Sequence, residues 1–214
     1  MKQIIFYLDF ISPYAYLAFE RLPVALMGHS YSVTYKPILF AALLKHHGQL
    51  GPAEIATKRD WTYRQVQWLA HRQGTELQLP AIHPFNPLAL LRLAVACEAQ
   101  GGPNRYVCET IFRHVWQGGH EAVDATRLQT LRALLAPQRD PAGDDVKAEL
   151  SAHTAQAIKQ GVFGVPTFAV DDKLLWGLDA LPMLRDYLAG DAWFAQGHWE
   201  GASTVGAGVV RPRP

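Results

Sequence analysis

Ser12 stands where this sequence turns from one element into the next. A short apolar run over residues 3–8 is followed by Asp9-Phe10-Ile11-Ser12-Pro13-Tyr14. Serine before proline reads as a helix start, because the hydroxyl accepts from an exposed amide and proline fits the first helical position. Amides at such an end have no partner within the helix, and the macrodipole puts partial positive charge there. Cysteines at helix N-termini have lowered pKa values for this reason. Here the position holds a hydroxyl, which can donate a hydrogen bond to a sulfur anion brought by a ligand instead of supplying the sulfur. The plainer reading is that Ser12 only caps its helix.

A second point of interest is Val165-Pro166-Thr167-Phe168, which enters a strand after Gly161 and Gly164. In thioredoxin-like folds a proline here is cis, which frees the preceding backbone to pair with an extended peptide. An ordinary trans proline at the first residue of a strand is the competing reading. Sulfur chemistry of the chain's own is not offered. Cys97 and Cys108 are the only cysteines. They form no C-x-x-C pair and are expected to be buried and structural. Nine histidines occur, but His46, His47, His83 and His114 show no i, i+4 pairing with a carboxylate. No metal site is expected.

The elements that must position Ser12 follow from pattern. Residues 3–8 form a buried strand, a helix runs from Ser12-Pro13 to about Met27, and Tyr31–Pro37 alternates as a second strand, together a βαβ unit. From about Phe40 to Gln160 only helical periods appear. Asn86-Pro87 starts a helix running past Cys97 and stopped at Gly101-Gly102. Further helices run from near Pro103 to Gly118-Gly119, over about Ala125–Leu135, and from Asp144-Asp145 to Gln160. Strand signal returns in the run from Gly161 to Val170, which leads through an Asp171-Asp172 turn into Lys173-Leu174-Leu175-Trp176-Gly177 as a β-hairpin, with a helix over about Leu181–Leu188. The order predicts an α/β, thioredoxin-like fold split by a large all-helical insertion. Residues 1–39 and 161–196 would form one domain and 40–160 the insertion, with 197–214 a mobile tail rich in Gly, Pro and Arg.

Composition narrows the function classes. The chain has 214 residues, 49% hydrophobic and 18% charged, which is globular and not disordered. With 20 Lys+Arg against 19 Asp+Glu it lacks the basic excess of a general nucleic-acid binder. No apolar run reaches the roughly 20 residues that span a bilayer, so no membrane is expected as a partner. Asp9 ends the opening apolar run too early for a signal peptide, and a cytoplasmic location is expected.

Three stretches carry a resemblance: Tyr7-Leu8-Asp9-Phe10-Ile11-Ser12-Pro13-Tyr14-Ala15-Tyr16-Leu17, Gly161-Val162-Phe163-Gly164-Val165-Pro166-Thr167-Phe168 and Trp176-Gly177-Leu178-Asp179-Ala180-Leu181. In this order they resemble the 2-hydroxychromene-2-carboxylate isomerases, the bacterial branch of the kappa-class glutathione transferases in the DsbA-like superfamily. The resemblance implies glutathione as cofactor, a small aromatic substrate and a homodimer. It implies that Ser12 is the catalytic serine holding the glutathione sulfur. Val165, before Pro166, would pair with the cysteinyl backbone, and Trp176, Gly177, Leu178 and Asp179 would take the γ-glutamyl end. Asp179 at a helix start suits the γ-glutamyl ammonium, with free amides nearby for its carboxylate. A plain cap for Asp179 and a core role for Trp176 remain open.

On the substrate side the family pattern is only partly kept. Asn is usual where Leu178 stands. The isomerase lysine falls at or beside Leu44, with Lys45 next to it, and an Asn-Arg pair falls at Glu54-Ile55. Phe85 and Asn86 match an aromatic-Asn pair of the substrate pocket, against the alternative of loop packing and a helix cap. The implied chemistry is reversible addition of a thiolate to a conjugated carbonyl compound, rotation about the resulting single bond, and elimination. Ser12 then acts as a hydrogen-bond donor, since no base stands beside it in sequence. A kappa-type transferase or peroxidase acting on other electrophiles is the rival within enzymes. A DsbA-like thiol oxidoreductase lacks its cysteines here, and a peptide-binding, chaperone-like member would show no glutathione affinity.

Overall fold

In the computed structural model, which describes residues 1–99, 102–206 and 208, the expected order of elements is present. Strand β1 (Lys2–Leu8) lies between β2 (Tyr31–Pro37) and β3 (Thr167–Val170), and β4 (Lys173–Trp176) completes the sheet in the order β2-β1-β3-β4. β1 pairs parallel with β2 and antiparallel with β3, which pairs antiparallel with β4. The β1–β2 crossover is α1 (Pro13–Ala25). Asp171 takes φ +51° in the tight β3–β4 turn, a conformation Asp tolerates better than most residues.

β1 is buried on both faces. Ile4, Phe6 and Leu8 join a large core with α1, whereas Tyr7 belongs to a smaller cluster with Ile38, Leu43, Ala157, Val162 and Val165. This alternation is the period of two of a strand covered on both sides. The helical stretch comprises α2 (Phe40–His47), α3 (Ala56–Gln73), α4 (Leu88–Ala96), α5 (Arg105–Trp116), α6 (Ala125–Leu135) and α7 (Asp144–Lys159). Its residues Leu91, Phe112 and Trp116 share the large core with Phe6, Phe10 and Phe19. α8 (Leu181–Ala189) packs back on α1.

Some boundaries differ from expectation. α1 passes through Pro23 and ends at Ala25, where the Leu26 N–H bonds back to Leu22 O. α4 ends at Ala96, with Cys97 as its cap, several residues before the expected stop. Gly101 lies outside the described residues. α5 starts at Arg105, because the Asn104 side chain caps it by accepting from the Val107 N–H at 3.1 Å. The stretch expected to be mobile from Gly197 contains a short helix, α9 (His198–Ala202). Trp199 packs against the core and Glu200 lies 3.6 Å from the buried Lys173 ammonium. Residues 207 and 209–214 of that tail lie outside the described residues. No helix among the described residues is long and apolar enough to cross a membrane.

Candidate functional site

Ser12 caps α1 and lines a cavity of ≈ 1780 Å³ at the C-terminal end of β1. Its Oγ accepts from the Ala15 N–H at 3.2 Å. The hydroxyl hydrogen points to the Val165 carbonyl, but at 3.4 Å. An O–H···O bond is ordinarily about 2.7–2.8 Å, so that proton is weakly held and free to be given to a better acceptor. Pro13 has no N–H, leaving the Tyr14 amide as the donor this first turn can offer a ligand.

The Val165-Pro166 bond is cis. Two hydrogen bonds fix this loop: Thr167 Oγ1 donates to Gly164 O at 2.7 Å, and the Gly177 N–H donates to Pro166 O at 2.9 Å. Gly177 (φ +103°, ψ 163°) occupies backbone space essentially reserved for glycine. From there residues 178–180 form a turn of 3-10 helix, with Asp179 at the cavity and the Leu178 side chain packed on the core. Trp176 is not a core aromatic. It is 54% exposed and packs on Phe163, with ring centroids 4.9 Å apart. Gly164 makes room for it, since a methyl there would stand 2.5 Å from the indole Nε1.

Ser12, Val165, Pro166, Trp176, Gly177, Leu178 and Asp179 thus line one cavity, together with Phe85 and Asn86. Phe85 is buried in the large core, and Asn86 Oδ1 accepts from the Leu88 N–H at 3.1 Å at the start of α4. Lys45 is not brought to this place. It is exposed and off the cavity wall, on which its neighbour Leu44 stands.

Two polar residues at the site, Asp9 and His83, were given no role in it by the sequence reading. Asp9 is fully buried, with Oδ1 accepting from Ile11 N–H at 3.1 Å and Oδ2 from Phe40 N–H at 2.9 Å. It therefore clamps the Ser12 turn to the start of α2. An acidic residue directly after an apolar strand was the available signal. His83 reaches the same turn, with Nε2 at 2.8 Å from Ile11 O and Nδ1 at 2.8 Å from the Tyr63 hydroxyl. A carbonyl only accepts, so Nε2 carries the proton and Nδ1 receives the one from Tyr63. Burial holds the His83 pKa below its ordinary value.

Desolvation raises the Asp9 pKa from 3.8 to about 7, against the opposing effect of its backbone hydrogen bonds. Between these values the folded protein binds more protons here than the unfolded chain. The contribution to stability is full below pH 3.8, falls as pH rises, and is level above about pH 7. Asp9→Asn removes this decline. Relative to wild type, its unfolding free energy in urea is expected to rise between those limits by up to about 4 kcal/mol, at about 1.36 kcal/mol per unit. An amide misfitting the two donors adds only a constant offset. A difference that does not change with pH would show that Asp9 is not the titrating group.

The two thiols stand apart from this chemistry. Cys97 and Cys108 are both buried and free. Burial raises both pKa values, that of Cys97 to about 11. Among the described residues no group of three His, Cys, Asp or Glu could hold a metal ion.

A β-α-β…β-β-α sheet with a helix N-terminus facing a cis-proline loop defines the thioredoxin-like class. A family model described as a DSBA-like thioredoxin domain matches residues 3–189. A 2-hydroxychromene-2-carboxylate isomerase of Pseudomonas sp. (strain C18) is 30% identical over 196 residues, covering 86% of this chain and 89% of that one. The glutathione S-transferase kappa 2 of Caenorhabditis elegans is 26% identical over 212 residues, covering 88% and 92%. A solved 2-hydroxychromene-2-carboxylate isomerase superimposes with a TM-score of 0.77 at 23% identity, covering 95% of this chain and 100% of that one. The chain belongs to the 2-hydroxychromene-2-carboxylate isomerase family of enzymes, within the DSBA-like thioredoxin domains.

Proposed function

We propose that this protein is a glutathione-dependent isomerase acting on a conjugated aromatic keto acid, as part of aromatic catabolism. The observation that carries the reading is the Ser12 hydroxyl, weakly engaged at 3.4 Å, at a helix N-terminus and on the wall of a cavity. The surrounding groups suit glutathione. The Val165 backbone is available to its peptide-like centre, and the turn from Gly177 to Asp179 offers amides for its carboxylate and a carboxylate for its ammonium. Trp176 and Phe163 flank that end.

When bound, glutathione supplies a thiolate that adds reversibly to a conjugated carbonyl compound, so that a former double bond can rotate. Ser12 stabilises the sulfur anion by donating a hydrogen bond, and the α1 dipole adds to it. Ser12 does not attack the substrate. His83 has both nitrogens engaged, and both Asp9 oxygens accept backbone amides, so neither serves Ser12 as a base. Phe85, Asn86 and Leu44 line the same cavity, and the ring of the substrate would lie against them.

The names of the relatives support both isomerase and glutathione transferase chemistry. A kappa-type transferase acting on other electrophiles is favoured by one observation: Leu44, Glu54 and Ile55 stand where the resemblance implies a lysine and an Asn-Arg pair. Measuring free glutathione before and after turnover separates them, because isomerisation consumes none. A cytoplasmic homodimer belongs to the same proposal.

The first test is thermal. Glutathione at 100 times its Kd is expected to stabilise the fold by about 2.7 kcal/mol, raising Tm by roughly 5–11 °C for a chain of this size. A midpoint that stays put at millimolar glutathione overturns the reading.

A further inference from the structure

One face of α3 forms a wall of the cavity along the whole length of the helix. Lys58, Trp61, Thr62, Gln65, Leu69 and Gln73 recur at helical spacing and all line it. Gln65 accepts from the Tyr14 hydroxyl at 2.7 Å, which ties the middle of this face to α1 close to Ser12. One turn toward the helix start Trp61 presents a ring that is 62% exposed, and Lys58 follows three residues before it. Residues at i and i+3 are neighbours on a helix surface, so one ligand can meet both.

Among the residues of α3 that line the cavity, Lys58 is the one cation. Phe40, Leu44, Leu50 and Phe85, which line the same cavity, are apolar. Of the carboxylates closest to Lys58 along the chain, Asp60 is exposed and off the cavity wall, and Glu54 accepts from the Gly51 N–H. Lys58 makes no ion pair with any described residue. The other cationic side chains at the cavity, Arg21 and Arg185, stand on α1 and α8. His83 is buried with its pKa lowered and both nitrogens engaged.

We infer that Lys58 and Trp61 are the specificity-determining pair of the second substrate, Trp61 covering its ring and Lys58 binding its acid group, so that the site selects aromatic carboxylates. This deepens the proposed function, and rests on it for what the sulfur then does. It also accounts for how an anion is recognised although Lys45 lies off the wall.

The test is a binding titration with cinnamate and its neutral amide, cinnamamide, followed by calorimetry, with glutathione titrated separately. Wild type is expected to bind cinnamate about tenfold more tightly than the amide, the scale of a hydrogen bond to a charged group. Lys58→Met is expected to abolish that preference and Lys58→Arg to keep it. Trp61→Leu is expected to weaken both probes alike. Loss of the preference in Lys58→Met but not in Lys58→Arg supports the pair. Retention of the preference in Lys58→Met overturns it, whatever glutathione does. If glutathione fails to bind while the cinnamate preference still depends on Lys58, the glutathione reading falls and the acid site stands.

Discussion

Ser12→Ala is expected to lower turnover by about 10²-fold or more, the usual scale for deleting one donor aimed at a developing or resting anion. The pH–rate profile carries the sharper signature. With Ser12 in place the thiol should titrate below the ordinary thiol value of about 8.5, and in the variant it should return toward that value. Activity lost at neutral pH would then be partly regained in alkaline solution. The variant also loses the bond from the Ala15 amide, a cap worth about 1 kcal/mol, so the fold should survive. Equal activity and an unshifted profile would remove Ser12 from the mechanism.

Trp116→Phe is expected to give the largest loss of stability from a conservative change. The indole is fully buried, and its Nε1–H donates to Phe10 O at 3.0 Å. It stacks on Tyr16 and lies 5.5 Å from the His83 ring, so it joins α5 to both sides of the Ser12 turn. Removing it leaves a buried carbonyl unpaired and a void behind. Together these cost about 2–4 kcal/mol, or roughly 5–15 °C in Tm. Glutathione affinity should fall as well, because Phe10 and Ile11 lead directly into Ser12. A variant that melts like wild type would show that the helical stretch does not hold this turn.

The parts of the fold that were legible are those with local signals. Ser12-Pro13, the Asp171-Asp172 turn, the capped start of α6 and the acidic first turn of α7 each announce themselves within a few residues. The clamp on the active turn was not legible, because its partners arrive from afar: Phe40 reaches Asp9 across 31 positions, and His83 reaches Ile11 across 72. α3 was not distinguished within the helical stretch. Its cavity face carries Lys58, Thr62 and Gln65 where a core face would carry aliphatic residues, and only Thr62, Val66 and Ala70 are buried. The choice between Leu44 and Lys45 turned on one position, which rotates a helical side chain by about 100°. That rotation puts leucine on the wall and lysine in solvent.

The two sides of the cavity are written in separate stretches of chain. On the proposed reading residues 9–14 and 163–179 make the sulfur side, and much of the remaining lining comes from residues 39–88. Exchanges in the latter stretch can therefore remodel which guest is admitted without disturbing how it is activated. A single exchange at the former is expected to silence every guest at once. Such a division lets one scaffold diversify its repertoire in small, survivable increments.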